Sequence, residues 1–299
     1  MHVLVTCKCN LSVAFVRLRC NHRVALIPTR KAGGDMLLKD KVAVIHGGGG
    51  SIGGAAARVF AREGARLFLV GRSRPRLEAA ADAARAEGAD VSVALVDAMD
   101  ETAVARHVDE VADAVGRIDI ALNAVGFDHV QGLAIGETSL EDYLHPVVGY
   151  LRTNFVTAKA VSRHMIAQGS GVILTVSTPG ARLTGRGLLG NAAQSAALEG
   201  FSRALAGELG PDGVRVVCVR PHAMPDALAT SYTRAMFGRS AEAGGVPFDE
   251  WFAGLADMTL LGRLPVLDEV AEYLAFAASD RARSMTGAIA NLTAGALVD

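Results

Sequence analysis

Short apolar runs alternate with longer helical stretches from residue 40 to the end of the chain. The runs are rich in Val, Ile and Leu, which is typical of parallel strands covered on both faces. Strands are predicted at Val42–Ile45, Arg66–Val70, Val91–Val96, Ile118–Leu122, Gly171–Val176, Val214–Val219 and Ala288–Leu292. Helices are predicted between them, at Ile52–Glu63, Arg74–Glu87, Glu101–Val115, Leu140–Ala167, Ala192–Leu209 and Asp268–Ala278.

The repeated strand–helix units predict an α/β fold, a doubly wound parallel sheet of Rossmann type with helices on both faces. We expect a single domain over 36–299, with the less regular stretch 226–264 forming a substrate lid. Residues 1–35 are basic and break their apolar runs with Arg and Asn, which is unlike a secretory signal. We predict a poorly ordered or non-native extension there, with Met36 as the effective start.

Composition narrows the functional classes. The formal net charge is -1, which gives no electrostatic reason to expect nucleic acid or an anionic membrane as a partner. No apolar run is long enough to span a bilayer. The four cysteines do not form a disulfide framework, so we predict a cytoplasmic protein. Zinc at Cys7, Cys9, Cys20 and His22 is an alternative that the Cys-x-Cys spacing disfavours, and no metal is expected.

A glycine-rich loop joins the first predicted strand to the first predicted helix. Gly47 permits a tight turn, and Gly53 permits close packing of the helix on the strand. Ser51 could cap the helix or donate to a bound phosphate. The free amides and the positive dipole end of such a helix favour an anion, so the loop predicts a dinucleotide phosphate site.

The end of the second predicted strand bears on the choice of dinucleotide. An acid at this point would hold the ribose diol of NAD(H), but Gly71 occupies the position and Arg72 follows it. A guanidinium group binds a 2′-phosphate well. The sequence therefore favours NADP(H) over NAD(H).

From Leu38 to Asp299 the chain resembles the short-chain dehydrogenase/reductase family. Besides the glycine loop, the resemblance rests on Asp97, Asn123-Ala-Val-Gly126, Asn154, Ala196-Ala-Leu-Glu-Gly-Phe201, Leu205-Ala-Gly-Glu208, Gly213-Val-Arg-Val-Val217 with Pro221, Thr286-Gly287 and Gly295. It implies coenzyme contacts from Gly47, Ser51, Ile52, Gly53, Arg72, Asp97, Ala98, Asn123, Val125, Gly126, Pro221 and Met224. It also implies a homodimer or homotetramer that associates through the two long helices.

The resemblance implies a degenerate active site. Asn154 falls at the family's catalytic Asn, and Thr178 falls at its substrate-orienting Ser. Asn191 stands at the family's proton-donating Tyr, and Ser195 stands at the Lys that lowers the pKa of that Tyr. An amide cannot act as a general acid near neutral pH, whereas a phenol next to a cation can.

Two other residues could supply the proton that the usual Tyr would donate. Tyr150 shares a helix face with Asn154, and His222 lies near the implied nicotinamide loop.

Three functions remain open. The first function is an NADP(H)-dependent oxidoreductase acting on a carbonyl or activated double bond of a small apolar substrate, with a non-standard proton donor. The second is a non-redox enzyme, such as a dehydratase, isomerase or cyclase. The third is a non-catalytic nucleotide-binding subunit.

Overall fold

A computed structural model describes residues 36–298. The predicted extension 1–35, together with its alternative zinc ligands, therefore lies outside the described residues. Within 36–298, no helix combines the length and the apolar character that are needed to cross a membrane.

The described chain forms a parallel sheet, as predicted. Its strands are β1 (Val42–His46), β2 (Arg66–Gly71), β3 (Val91–Leu95), β4 (Ile120–Asn123), β5 (Gly171–Val176), β6 (Val214–Pro221) and β7 (Ala288–Leu292). Their order in the seven-stranded sheet is β3-β2-β1-β4-β5-β6-β7. The strand order reverses between β1 and β4, and ligands bind at such a switch point, outside the carboxyl ends of the strands.

Helices cover both faces of the sheet. They are α1 (Ser51–Arg62), α2 (Arg74–Ala86), α3 (Glu101–Val115), α4 (Leu140–Gln168), α5 (Leu189–Leu209), α6 (Thr233–Ala243), α7 (Phe248–Asp257) and α8 (Leu267–Ala278). Phe60 of α1, Leu77 of α2 and Leu274 of α8 pack into the core on one face. Val104 of α3 and Met165 of α4 pack into the core on the other.

The predicted lid segment 226–264 is more regular than its sequence indicates, because it contains α6 and α7. The two helices pack through aromatic rings, with the centroid of Phe237 5.6 Å from that of Trp251 and 6.0 Å from that of Phe252. The sequence pattern that could have predicted α7 is the helical spacing of large apolar residues from Phe248 to Leu255. The glycine and proline residues that flank α7 obscured it.

The glycine loop packs as the sequence predicts. Gly47 has a φ of 79°, in the left-handed region that favours glycine. A Cβ atom at Gly53 would overlap the carbonyl oxygen of Gly47, so the first turn of α1 can lie against the loop only without a side chain there. A Cβ atom at the adjacent Gly54 would have its nearest neighbour at 3.7 Å, an ordinary contact.

Two buried histidines interrupt the apolar packing between β1 and α3. Neither ring nitrogen of His46 has a hydrogen-bond partner within the described chain, and the same holds for Nδ1 of His107. Burial, and then repulsion from His107, lowers the pKa of His46 to about 3. Burial also lowers the pKa of His107. The folded protein therefore holds both imidazoles neutral.

Gly53 and Gly54 give a matched pair of substitutions. We expect Gly53→Ala to destabilise the fold by roughly 1–3 kcal/mol, because the added methyl group overpacks the loop. Gly54→Ala should be neutral or stabilising by up to about 1 kcal/mol, because alanine favours a helix interior. Urea unfolding at neutral pH measures both changes, and equal midpoints for the two variants would contradict the proposed packing.

The neutral histidines make stability depend on pH. Since the pKa of His46 is lower in the folded than in the unfolded state, its contribution is complete above about pH 6.5 and falls as the pH drops toward 3. Between pH 6.5 and 5, protonation of His46 in the unfolded state should lower the free energy of unfolding of the wild type by about 1.4 kcal/mol per pH unit. We expect His46→Thr to lack this part of the pH dependence. Urea unfolding at several pH values tests this, with His145→Ala on the exposed surface of α4 as a control. Parallel curves for wild type and His46→Thr would refute it.

Candidate active site

A large cleft of about 1390 Å³ runs along the carboxyl edge of the sheet. The glycine loop and the start of α2 line one end, and the turns after β4, β5 and β6 line its middle. Residues of α6 and α7 line the other end. The described residues include no group of three or more His, Cys, Asp or Glu side chains placed to hold a metal ion.

The N-terminus of α1 faces this cleft without a side-chain cap. Gly50 occupies the N-cap position, and its first intrahelical partner is the amide of Gly54. The amides of the first turn are therefore available to an anion. The predicted capping role of Ser51 is wrong, because Ser51 lies inside the helix and its hydroxyl is 2.8 Å from that of Thr230 in the lid segment.

Two arginines stand at the end of the cleft that the glycine loop lines. Arg72 and Arg76 are exposed and line it, and neither has an acidic partner within residues 36–298. By contrast, the Arg74 guanidinium lies 3.6 Å from the Glu78 carboxylate. The predicted contact residues Asp97 and Ala98 also line this end.

Sequence reasoning missed Arg76. A signal was present, because the first turn of α2 contains basic residues and no acidic residue. Cations are unfavourable at the positive end of a helix dipole, so a basic first turn indicates that an external anion compensates it. Arg76 also packs against the glycine loop, since a Cβ atom at Gly49 would lie 2.9 Å from the Cβ of Arg76.

The turn after β4 is built around Asn123. Its Nδ2 donates to Thr157 Oγ1 over 3.0 Å, and its Oδ1 accepts from the amide of Val125 over 3.1 Å. These bonds hold Val125 and Gly126 at the edge of the cleft. The Tyr232 hydroxyl of the lid segment lies against Gly126, in space that a side chain there would fill.

The two candidate substitute acids line the cleft and are poor acids. Burial raises the pKa of Tyr150, whose hydroxyl is 3.0 Å from that of Tyr232 and accepts from the amide of Phe127 over 3.3 Å. Burial and then Tyr150 raise the pKa of Tyr232 well above its usual value. Burial lowers the pKa of His222, whose Nδ1 accepts from the amide of Ala223 over 2.7 Å. Tyr232 carried no sequence signal beyond its place in the lid.

Thr178, Asn191 and Ser195, which the resemblance grouped, meet in the structure. Thr178 Oγ1 is 2.7 Å from Asn191 Oδ1 and 2.7 Å from Ser195 Oγ, and Ser195 Oγ is 3.2 Å from Asn191 Oδ1. Thr178 and Asn191 line the cleft, whereas Ser195 is fully buried behind them. All three side chains of this cluster are uncharged.

The fourth predicted catalytic residue, Asn154, is buried and does not line the cleft. Its Nδ2 donates to the carbonyl oxygen of Tyr150 over 2.9 Å, and its Oδ1 has no hydrogen-bond partner within the described chain. The contact between these two residues on one face of α4 therefore joins the Asn154 side chain to the Tyr150 backbone, and not the two side chains. The side chains of the two residues face different surroundings.

An ion pair lies beneath the cluster. Arg220 at the end of β6 donates from Nε to Glu199 Oε1 over 2.6 Å and from a terminal nitrogen to Glu199 Oε2 over 2.9 Å. Ser177 Oγ donates to the same carboxylate over 3.1 Å. Both charged side chains are almost completely buried, so this pair joins α5 to the ends of β5 and β6.

Comparisons with known proteins agree with this geometry. A family profile described as Enoyl-(Acyl carrier protein) reductase matches residues 48–296. The chain is 32% identical over 270 residues to the short-chain reductase protein NovJ of Streptomyces niveus, covering 86% of this chain and 94% of that protein. It is 31% identical over 262 residues to the meso-2,3-butanediol dehydrogenase of Serratia marcescens, covering 87% and 96%.

Solved structures match the same region. A structure named NAD+-bound xylitol dehydrogenase superposes with a TM-score of 0.81 at 24% identity, covering 86% of this chain and 99% of that one. At this identity the likeness shows the fold alone. The profile match, the two relatives and the cleft at the switch point lead to one conclusion: this chain belongs to the short-chain dehydrogenase/reductase family.

Proposed function

We propose that this protein is an NADP(H)-dependent oxidoreductase acting on a carbonyl or activated double bond of a small apolar substrate. The observation that carries the proposal is the pair of unpaired guanidinium groups of Arg72 and Arg76, at one end of the cleft that holds the uncapped start of α1. Fixed cations and free amides in one cleft suit a ligand with several phosphate groups.

The residues present fit such a coenzyme. The amides of Ser51, Ile52 and Gly53 would hold its diphosphate, and Arg72 with Arg76 would hold a 2′-phosphate. The turn at Asn123, Val125 and Gly126, the β6 end at Pro221, and Met224 would border its other half. When bound, the coenzyme supplies or accepts a hydride.

The lid end of the cleft supports an apolar substrate. Met236, Phe237, Trp251, Leu255 and Met258 line it. Apolar lining with a few placed polar groups is typical of small-molecule sites.

The name of the Serratia marcescens relative describes a dehydrogenase of a small diol, which agrees with carbonyl and alcohol chemistry on this scaffold.

Proton transfer must differ from the family pattern in this proposal. The Tyr150 and Tyr232 hydroxyls hold protons at the cleft, and burial raises the pKa of both. A donor with a raised pKa is a weak acid and suits a strongly basic acceptor, such as an alkoxide. His222 is held neutral by its lowered pKa and is the weaker candidate.

Coenzyme binding gives the first test. We expect the full chain to bind NADPH more tightly than NADH, and Arg72→Ala with Arg76→Ala to weaken NADPH binding about 10- to 100-fold, because two charge-assisted contacts are lost. NADH affinity should change little. Nicotinamide fluorescence measures the dissociation constants of NADPH and NADH for the wild type and for the double variant. Arg74→Ala is the matched control, since that side chain pairs with Glu78 and lies outside the cleft lining.

Other outcomes of this titration decide between the functions. Tighter NADH binding would contradict the role of Arg72 and Arg76 and favour an NAD(H) enzyme. Binding of neither coenzyme would contradict the oxidoreductase proposal and favour a non-redox enzyme or a non-catalytic subunit.

Substitution of the candidate acids tests the proton source. In any NADPH-dependent turnover found with a panel of carbonyl and enoyl substrates, we expect Tyr150→Phe to lower kcat by about 100-fold or more. His222→Ala should change kcat by less than about tenfold, because a neutral imidazole is not the acid. The rates of both variants at saturating coenzyme measure this. An unchanged rate in both would mean that neither side chain supplies the proton.

A further inference from the structure

With Gln194 Nε2 directed at Ser195, the hydrogen bonds around Asn191 favour one orientation of its side-chain amide. The amide of Gly180 donates to Thr178 Oγ1 over 3.2 Å, and Gln194 Nε2 donates to Ser195 Oγ over 2.6 Å. Each hydroxyl thus already accepts an N–H bond, and its own proton needs an acceptor. Asn191 Oδ1 is that acceptor, at 2.7 Å from Thr178 Oγ1 and 3.2 Å from Ser195 Oγ.

The opposite orientation of this amide would be less favourable. Its N–H groups would then point at two hydroxyls that already accept N–H bonds. With Gln194 oriented as it is, one hydroxyl proton would lose its acceptor. An unsatisfied polar group in a buried cluster costs free energy, so the oxygen-inward orientation is preferred.

The nitrogen of Asn191 therefore points away from the cluster. Within residues 36–298 no hydrogen bond uses Nδ2, yet this atom is not among the buried unpartnered ones, and Asn191 lines the cleft. Gly180 makes room for this arrangement, because a Cβ atom there would overlap Asn191 Oδ1. Two N–H donors are thus presented to the cleft by a side chain whose oxygen is anchored at two points.

We propose that Asn191 Nδ2 binds the carbonyl or phenolate oxygen of an aromatic ligand as a fixed, neutral hydrogen-bond donor. The lid end of the same cleft offers Phe237 and Trp251 to an aromatic ring. Because an amide does not titrate near neutral pH, this contact needs no nearby cation, and Ser195 supplies none. The inference rests on the proposed function for the reaction and adds to it the class of substrate and the group that recognises its oxygen.

Ligand binding without coenzyme tests this donor directly. Trp251 is the only tryptophan of the chain and lines the cleft, so quenching of its fluorescence reports binding. The probes are 4-nitroacetophenone, which carries a carbonyl oxygen, and 4-nitrotoluene, which has a methyl group in place of the acetyl group. We expect the full-length wild type to bind the ketone about tenfold more tightly, the effect of one hydrogen bond.

Asn191→Asp is the decisive variant. It keeps an oxygen for Thr178 and Ser195 and replaces the donor with an acceptor, so the ketone should lose about tenfold in affinity while 4-nitrotoluene changes less than about twofold. Asn191→Leu should give the same loss without adding a charge. Urea unfolding checks that each variant is folded. If neither variant folds, the difference between the affinities of the wild type for the two probes still tests the proposal.

Three results would overturn the proposal. The first is equal affinity of the wild type for both probes, or binding of neither probe. The second is unchanged ketone affinity in Asn191→Asp, which would mean that the amide presents its oxygen instead. The third is ketone affinity that varies between about pH 5 and 9, because a titrating group such as His222 would then be the donor. Failure of NADPH binding would contradict the proposed function while leaving these ligand affinities as they are.

Discussion

The buried ion pair between Glu199 and Arg220 positions the chemical part of this cleft. A charged pair removed from water is stable only when its hydrogen bonds are satisfied, and removal of one partner leaves a costly buried charge. The carboxylate meets both the guanidinium and the Ser177 hydroxyl. The helix that carries Asn191 is thereby fixed to the strand that precedes Thr178. The same pair fixes the strand end that leads to Pro221 and His222.

The sequence predicted the framework well because a few local rules determine it. Parallel strands covered on both faces need continuous apolar runs, and the predicted strands lie within a few residues of the observed ones. The glycine loop was predictable for the same reason, since Gly53 meets a steric requirement that no other residue meets. The helices α6 and α7 were missed because Gly residues lie within them and Gly and Pro residues flank α7. Their order depends on ring contacts between Phe237 and Trp251, which spacing alone does not reveal.

The site was predictable where the family resemblance assigned positions that lie close along the chain. The resemblance placed Thr178, Asn191 and Ser195 together, and the structure brings them within hydrogen-bond distance. Contacts between distant segments were not accessible in this way. Tyr232 reaches Tyr150 across 82 positions, and Ser51 meets Thr230 across 179. Such pairs are set by how segment 226–264 packs beside the cleft, which no periodicity encodes.

The burial of Ser195 limits which side chains this site can accept. An amine on a long side chain would have to enter a space that Thr178, Asn191 and Gln194 already share through short hydrogen bonds. A phenol at position 191 would in turn lose the anchor that these hydroxyls provide. Neither a Lys at position 195 nor a Tyr at position 191 could be introduced alone without disrupting the cluster. Positions 191 and 195 are therefore coupled, and a change at one of them requires a matching change at the other.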